Sequence, residues 1–310
     1  MSRSARRGTG LAAVALATLG TAAATPSRAV AVTSGCRVAP VSDTVVMTLR
    51  SGGRRRSALV HVPPGTAAGQ RLPIVLAFHG SGSNGAGMAG YSGLSVVGDG
   101  EGFLAVYPNA VGGPWNQGST APNAPDDVRF TSDLLDVLED RWCVDPRRVY
   151  ATGVSAGGGM AARLGCQLSA RIAAIAPVAG SYAALPPCHP DRPVSVLEIH
   201  GTSDSIVPYA GTPPKGAGSV PAFLAGWRAR DGCSTRTTQR HLAPHTLQID
   251  ATRCSQGTAV RHIQILGGWH QYPGASPPDA GPRATISAAW QSWRFLAGKR
   301  LAVPPARASR

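Results

Sequence analysis

The chain has 310 residues, 43% of them hydrophobic and 15% charged, and a formal net charge of +14 carried almost entirely by arginine. That is enough chain for one large domain with its own core, and the mixed composition excludes a fibrous or disordered protein. The basic residues are spread along the chain instead of forming a stripe, which argues against a nucleic-acid partner and leaves attraction to acidic polysaccharide surfaces open.

The first 31 residues read apart from the rest. Arg3, Arg6 and Arg7 form a basic segment, Leu11 to Ala24 is an alanine-rich apolar run, and Ala29-Val30-Ala31 fits a small-x-small cleavage site. The run is short of the roughly 20 apolar residues a spanning helix needs, so residues 1–31 predict a cleaved signal peptide and a secreted product with no membrane span. Residues 32–300 are expected to form one domain and 301–310 a loose tail. Thr33-Ser34-Gly35-Cys36 faintly resembles a lipoprotein box, which makes lipid anchoring at Cys36 the alternative. All six cysteines lie beyond the expected cleavage point, and an even count in an exported chain predicts disulfides. No C-x-x-C pair argues for zinc, and no metal is expected. Spacing favours Cys166–Cys188 and Cys233–Cys254, leaving Cys36–Cys143. Each bridge constrains the unfolded chain by about 3 kcal/mol.

Asp43 to Leu49 and Ser57 to Val62 predict an edge hairpin joined at Ser51-Gly52-Gly53, with Arg54-Arg55-Arg56 as a solvated turn. Leu72 to Phe78 is continuously apolar, as in a strand buried on both faces, and runs into the glycine-rich loop His79-Gly80-Ser81-Gly82-Ser83-Asn84-Gly85. Phe103 to Tyr107 predicts another buried strand, and Asp126 to Trp142 a helix on the spacing of Val128, Leu134, Leu135, Val137 and Leu138, with Asp126 and Asp127 capping its start. Strands follow at Val149 to Thr152, Ile172 to Val178, Val194 to Ile199, Thr246 to Ile249 and Val260 to Leu266, with helices at Pro221 to Arg230 and Arg283 to Leu296. Strands alternating with helices mean a mostly parallel sheet covered on both faces, an α/β fold in a single domain.

One stretch organises this pattern. Val149 to Thr152 leads into Gly153-Val154-Ser155-Ala156-Gly157, and a small-residue helical segment follows to about Cys166. Strand, G-x-S-x-G, helix is the setting of a nucleophile elbow, a strained turn at which side chains on the flanking glycines would collide with the neighbouring strand and helix. A serine hydroxyl needs a base, and the base a third group to orient it, each at the end of a strand and in the order Ser, Asp, His. Asp204 follows the strand ending at Ile199, and His270 follows the strand ending at Leu266. Asp250 and His262 fall within strand patterns, and His200 supports the acid turn. The oxyanion donors are expected to be the backbone N–H groups of Ala156 and Ser81.

Several motifs occur together and in order: His79-Gly80-x-Gly, Tyr107-Pro108-Asn109 with Trp115-Asn116, Asp126-Asp127-Val128, Val144-Asp145-x-x-Arg148-Val149-Tyr150, Gly153-x-Ser155-Ala156-Gly157-Gly158, His200-Gly201-Thr202-x-Asp204 with Val207-Pro208-Tyr209, and Gly267-Gly268-x-His270 before Tyr272-Pro273-Gly274. This set resembles the α/β-hydrolase family of secreted polyhydroxybutyrate depolymerases and feruloyl or acetylxylan esterases. The resemblance implies Ser155 as nucleophile, Asp204 as orienting acid, His270 as base, local disulfides and no cofactor. The chain departs from the family at Ser81, where cysteine is frequent, and at Trp269 and Tyr272, which flank the base and bear on the pocket rim. Trp115 and Trp269 are the candidate substrate-binding residues.

The expected function is a secreted, monomeric serine carboxylesterase acting on feruloyl or acetyl esters of plant polysaccharide or related soluble esters. The chain ends soon after its closing helix, with no linker or binding domain for a solid polyester, so polyhydroxybutyrate depolymerase or oligomer hydrolase is the alternative. A cell-wall-binding module on an inactive hydrolase fold is the non-enzyme alternative.

Overall fold

The computed structural model describes residues 36, 43–212, 218–275 and 286–302. The expected leader over residues 1–31 and residues 303–310 of the expected tail lie outside them. β1 (Thr44–Ser51) and β2 (Arg54–His61) pair antiparallel across Gly52 and Gly53, whose positive φ values of 54° and 75° suit a tight turn. There follow β3 (Leu72–Phe78), α1 (Gly85–Ser92), α2 (Leu94–Glu101), β4 (Leu104–Pro108), α3 (Asp127–Arg141), β5 (Val144–Val154), α4 (Ala156–Gln167), β6 (Ala174–Val178) and β7 (Ser195–Gly201). α5 (Val220–Arg230), β8 (Thr237–Ala243), β9 (Thr246–Ala251), β10 (Val260–Ile265) and α6 (Ala288–Leu296) complete the described elements.

The strands form a single sheet ordered β1-β2-β4-β3-β5-β6-β7-β10-β9-β8. From β4 to β10 every neighbouring pair is parallel, and antiparallel strands close both edges. The parallel centre is buried on both faces because helices cover it on both. Alternation along β3 shows this directly. Ile74, Leu76 and Phe78 pack with Phe130 and Leu134 of α3 and Met160 and Leu164 of α4, whereas Val75 and Ala77 join Met88, Leu94, Val97, Trp293 and Leu296 of α1, α2 and α6. Parallel strands also put the ends of β3, β5, β7 and β10 along one edge, where the site is assembled.

Three elements are additions to the sequence reading. α1 and α2 are glycine-rich and short, capped by the Asn84 side chain on the Gly87 N–H and by left-handed Gly93 and Gly102. β8 is an edge strand with little buried surface and no apolar alternation. Arg54-Arg55-Arg56 is not a solvated turn: it begins β2, and the turn is the two glycines alone. Arg56 is 2% exposed, paired with Asp127 at 2.6 Å and stacked 3.8 Å over the Phe130 ring. The closing helix starts at Ala288, after Ser287, whose hydroxyl accepts the Trp290 N–H; residues 283–285 of the expected span lie outside the described residues.

All three expected disulfides are present, Cys36–Cys143, Cys166–Cys188 and Cys233–Cys254. The first occupies the Cys36 sulfur, which removes the thiol that lipid anchoring requires. Among the described residues no helix is long and apolar enough to cross a membrane, and no group of three or more potential ligands is placed to hold a metal ion.

Candidate active site

Ser155 stands between the last residue of β5 and the first of α4, at φ 57° and ψ −121°. A non-glycine residue holds such a backbone only when its surroundings dictate it, and such strain is concentrated at functional sites. The surroundings here are backbone. A Cβ on Gly153 would sit 2.5 Å from the Gly157 carbonyl oxygen and 2.6 Å from that of Phe78, and one on Gly157 would overlap the Phe78 carbonyl group. The turn is pinned by Ser155 N–H to Val178 O at 3.0 Å, and by the Gly159 and Ser181 N–H groups on the Ser155 carbonyl, both at 3.1 Å. α4 starts at Ala156, so its first N–H groups point back toward the serine.

The loop after β3 passes directly by. A Cβ on Gly80 would lie 3.5 Å from Ser155 Cβ, and Ser81 lines the same cleft as Ser155 and Ala156. His79 braces this loop: its Nδ1–H donates to Gly80 O at 2.8 Å while Nε2 accepts the Ala110 N–H at 3.2 Å. Those bonds fit the neutral ring, and burial lowers the His79 pKa. Trp115 is 3% exposed, its indole N–H donates to His79 O at 2.9 Å, and its ring packs against Phe78 and His79. Trp115 therefore backs the cleft wall and holds the loop, with most of its ring in the core.

Asp204 and His270 meet because the turns after β7 and β10 pack backbone on backbone. A Cβ on Gly201 would strike the Gly268 carbonyl, and Ser203 N–H donates to Gly268 O at 2.9 Å. Gly267 N–H also donates to Thr202 Oγ1 at 2.9 Å. The result is His270 Nδ1 at 2.7 Å from Asp204 Oδ2, with the carboxylate buried and the imidazole partly open. Asp204 Oδ1 accepts the N–H groups of Ile206 and Val207 at 2.9 and 2.7 Å. Burial pushes the Asp204 carboxyl up, but hydrogen bonds from His200, His270 and Val207 N–H outweigh it and hold it well below the usual carboxylate range. No hydrogen bond joins the Ser155 hydroxyl to His270, as is common in sites without substrate, where such bonds tighten only in the complex.

Ser155, Ala156 and Ser81 lie in a cleft of about 750 Å³, with Ile206 and Val207 of the acid turn on one side and the 114–125 loop on the other. That loop is tied down by its own polar groups. Asn116 N–H donates to Asp127 Oδ2 at 2.7 Å, its side chain donates to Pro125 O at 2.8 Å, and the Gln117 amide donates to Ala156 O at 2.8 Å. Asp126 caps α3 as expected, accepting the Arg129 N–H at 2.9 Å, while Asp127 is the buried partner of Arg56. Trp269, next to His270 in the chain, is 48% exposed, and Ile206 is 69% exposed. A smaller cavity of about 180 Å³ between α4 and α5 offers the aromatic faces of Tyr182, Phe223 and Trp227 but no nucleophile or base.

The sequence reading passed over Glu198, which lies fully buried in β7 against His200 and His262. Its signal was a single acidic residue inside a strand buried along its whole length.

The family model described as Esterase PHB depolymerase matches residues 56–186, the part that carries the loop after β3 and the Ser155 turn. Feruloyl esterase B of Piromyces equi is 29% identical over 230 residues, 69% of this chain; the chain spans only 42% of that relative. Feruloyl esterase D of Neurospora crassa is 28% identical over 294 residues, 89% of this chain and 91% of the relative. Among solved structures, an acetyl xylan esterase from Aspergillus awamori shares the fold with a TM-score of 0.59 at 15% identity, over 82% of this chain and 99% of the other. Over residues 56–186 the chain is similar to the family described as Esterase PHB depolymerase, over most of its length it is similar to feruloyl esterases, and its sheet has the fold of the acetyl xylan esterase.

Proposed function

We propose that the chain is a secreted serine carboxylesterase in which Ser155 is the nucleophile, His270 the general base and Asp204 the acid that orients it. The observation that carries this reading is the strained Ser155 turn at the cleft floor on the same sheet edge as the 2.7 Å His270–Asp204 pair. His270 Nε2 takes the hydroxyl proton as Ser155 Oγ bonds to the ester carbonyl carbon. The carbonyl oxygen becomes an oxyanion, held by the N–H groups of Ala156 and Ser81. His270 returns the proton to the alcohol oxygen as the C–O bond breaks, leaving an acyl-enzyme. Water then attacks the acyl carbon by the same proton route and frees the acid and Ser155. These steps call for no cofactor.

The substrate is a neutral ester, feruloyl or acetyl on plant polysaccharide. The cleft lining is uncharged, with Asn116, Gln117, Ser119, Asn123 and Ser181 available to hydroxyl groups, and Trp269 stands exposed beside the base. The feruloyl esterase relatives support this choice. Hydrolysis of 3-hydroxybutyrate oligomers is the second reading, favoured by the match over residues 56–186. Three disulfides fit an oxidising, extracellular setting, and the chain acts as a monomer. The test is kcat/KM of the mature protein on methyl ferulate beside a 3-hydroxybutyrate oligomer and a short p-nitrophenyl ester. Preference for the ferulate is expected; preference for the oligomer would move the enzyme to polyester turnover.

A further inference from the structure

β7 is buried along its whole length, yet it carries a carboxylate, Glu198, and an imidazole two residues on, His200. An uncompensated ion there would cost several kcal/mol, so each must find partners. Residues two apart on a strand share a face, and Glu198 Oε1 meets His200 Nδ1 at 2.8 Å. The other ring nitrogen, Nε2, lies 3.0 Å from the Val207 carbonyl oxygen and 3.2 Å from Asp204 Oδ2. Both nitrogens of His200 thus face acceptors only. A neutral imidazole has one N–H and would set its lone pair against an oxygen, whereas the cation donates on both sides. None of the three side chains has exposed surface.

The oxygen of Asp204 that receives His200 also receives His270 Nδ1, at 2.7 Å. Asp204 is therefore flanked: a buried imidazole behind it, the partly open imidazole of the base in front. Resting on the reading of Ser155, Asp204 and His270 as a triad, we propose that His200 is a positioning residue of that triad, a buried imidazolium clamped between Glu198 and Asp204 that keeps Asp204 ionised and aimed at His270.

The groups packed around His200 agree with one cation between two carboxylates. Tyr182 O–H donates to Glu198 Oε1 at 3.2 Å, and the Tyr209 ring stands edge-on to His200 at 6.0 Å. On β10, Gln264 pairs in register with His200 and donates its amide to Tyr209 Oη at 3.0 Å. Tyr209 O–H then faces His262 Nε2 at 3.0 Å, so His262 fits as a neutral ring with its Nδ1–H toward Glu198, 2.8 Å from Oε2. Burial works against charge on His200, but the Glu198 carboxylate and the bonds to Asp204, Glu198 and Val207 carry it up to about 10. Burial likewise pushes Glu198 up, and His200 and His262 overcome it and bring it to about 2.

The test compares His200→Gln and Glu198→Gln with the parent protein in kcat/KM on a p-nitrophenyl ester between about pH 5 and about pH 9. Without the buried cation the whole charge of Asp204 is available to hold a proton, on itself or on the base. The acid limb of each variant should therefore move up by about one pH unit, which reads as a roughly tenfold larger loss at the acid end than at pH ~8. A loss by the same factor at every pH, as a purely structural role would give, overturns the proposal. ¹⁵N NMR of the unmodified protein decides the matter even if both variants misfold. Both His200 nitrogens should remain protonated at pH ~8, well above the ordinary histidine range, and a single N–H there overturns the proposal. Turnover retained by Ser155→Ala would overturn the triad reading beneath it, and neither the NMR result nor the pH shift could be mistaken for that outcome.

Discussion

At Ser155 the chain accepts a backbone that an L-residue rarely holds, at φ 57°, and the glycines around it explain how. Gly157 has no room for a methyl group, because the obstacle is the Phe78 carbonyl, which belongs to a central strand and cannot step aside. Gly157→Ala should therefore lose both activity and cooperative folding, seen as a lowered midpoint in chemical denaturation; an active, equally stable variant would contradict the tight elbow. Ser155→Ala should keep its folded stability and lose kcat by a factor on the order of 10⁵–10⁶. Trp269 is 48% exposed next to His270 in the chain, and we propose that it lies against an aromatic acyl group. Trp269→Ala should lower kcat/KM on methyl ferulate roughly three- to tenfold and leave a short acetyl ester unchanged, and equal losses on both would assign the ring to the scaffold instead.

The buried pair of Arg56 and Asp127 links two elements far apart in sequence, β2 and the start of α3, and the second oxygen of Asp127 holds the Asn116 N–H of the cleft loop. Arg56→Met strips a fully buried carboxylate of its partner, so it should cost about 3–5 kcal/mol by urea denaturation, whereas Arg55→Met on the open face should cost less than about 0.5 kcal/mol. Three arginines in a row after a glycine turn look like a solvated corner, and only strand register decides that the third points inward. The same distinction separates what sequence could and could not reveal elsewhere. β3 and β7 were legible because strands buried on both faces read as apolar runs, and Ser155, Asp204 and His270 stood out as candidates because each follows an expected strand, although β10 alternates apolar with polar residues. α1 and α2 were not, because glycines that weaken helix propensity are there for packing: Gly85 lies against the Tyr107 carbonyl and Gly98 against Phe103. β8 is held by its ladder to β9 and so left no hydrophobic pattern to read. The Cys166–Cys188 bridge, with a separation of 22 residues, joins α4 to the segment before β7. Replacing both cysteines by serine should cost about 3 kcal/mol, measured as a lower midpoint without loss of kcat.

Across the whole molecule, the arginines are spread along the sequence, while the carboxylates of Glu198 and Asp204 are gathered with His200 behind His270. This arrangement links stability to pH. His200, raised from 6.5 to about 10, contributes fully below 6.5 and loses that contribution as pH climbs through about 10. Glu198, lowered from 4.5 to about 2, contributes fully above 4.5 and loses it as pH falls through about 2. The unfolding free energy of the parent relative to a Glu198→Gln, His200→Gln double variant should therefore be greatest between pH 4.5 and 6.5 and fall on either side. A difference that is flat with pH would show that the pair does not titrate with folding. The proposed role of Ser155 as a nucleophile beside the Asp204–His270 pair is tested most directly by one experiment. The mature protein is titrated with an active-site-directed fluorophosphonate while ester turnover is followed, and the adduct is located by peptide mass spectrometry. One equivalent on Ser155, rising in step with loss of turnover, is the expected result. Full turnover without an adduct, or inactivation by an adduct on another residue, would contradict it.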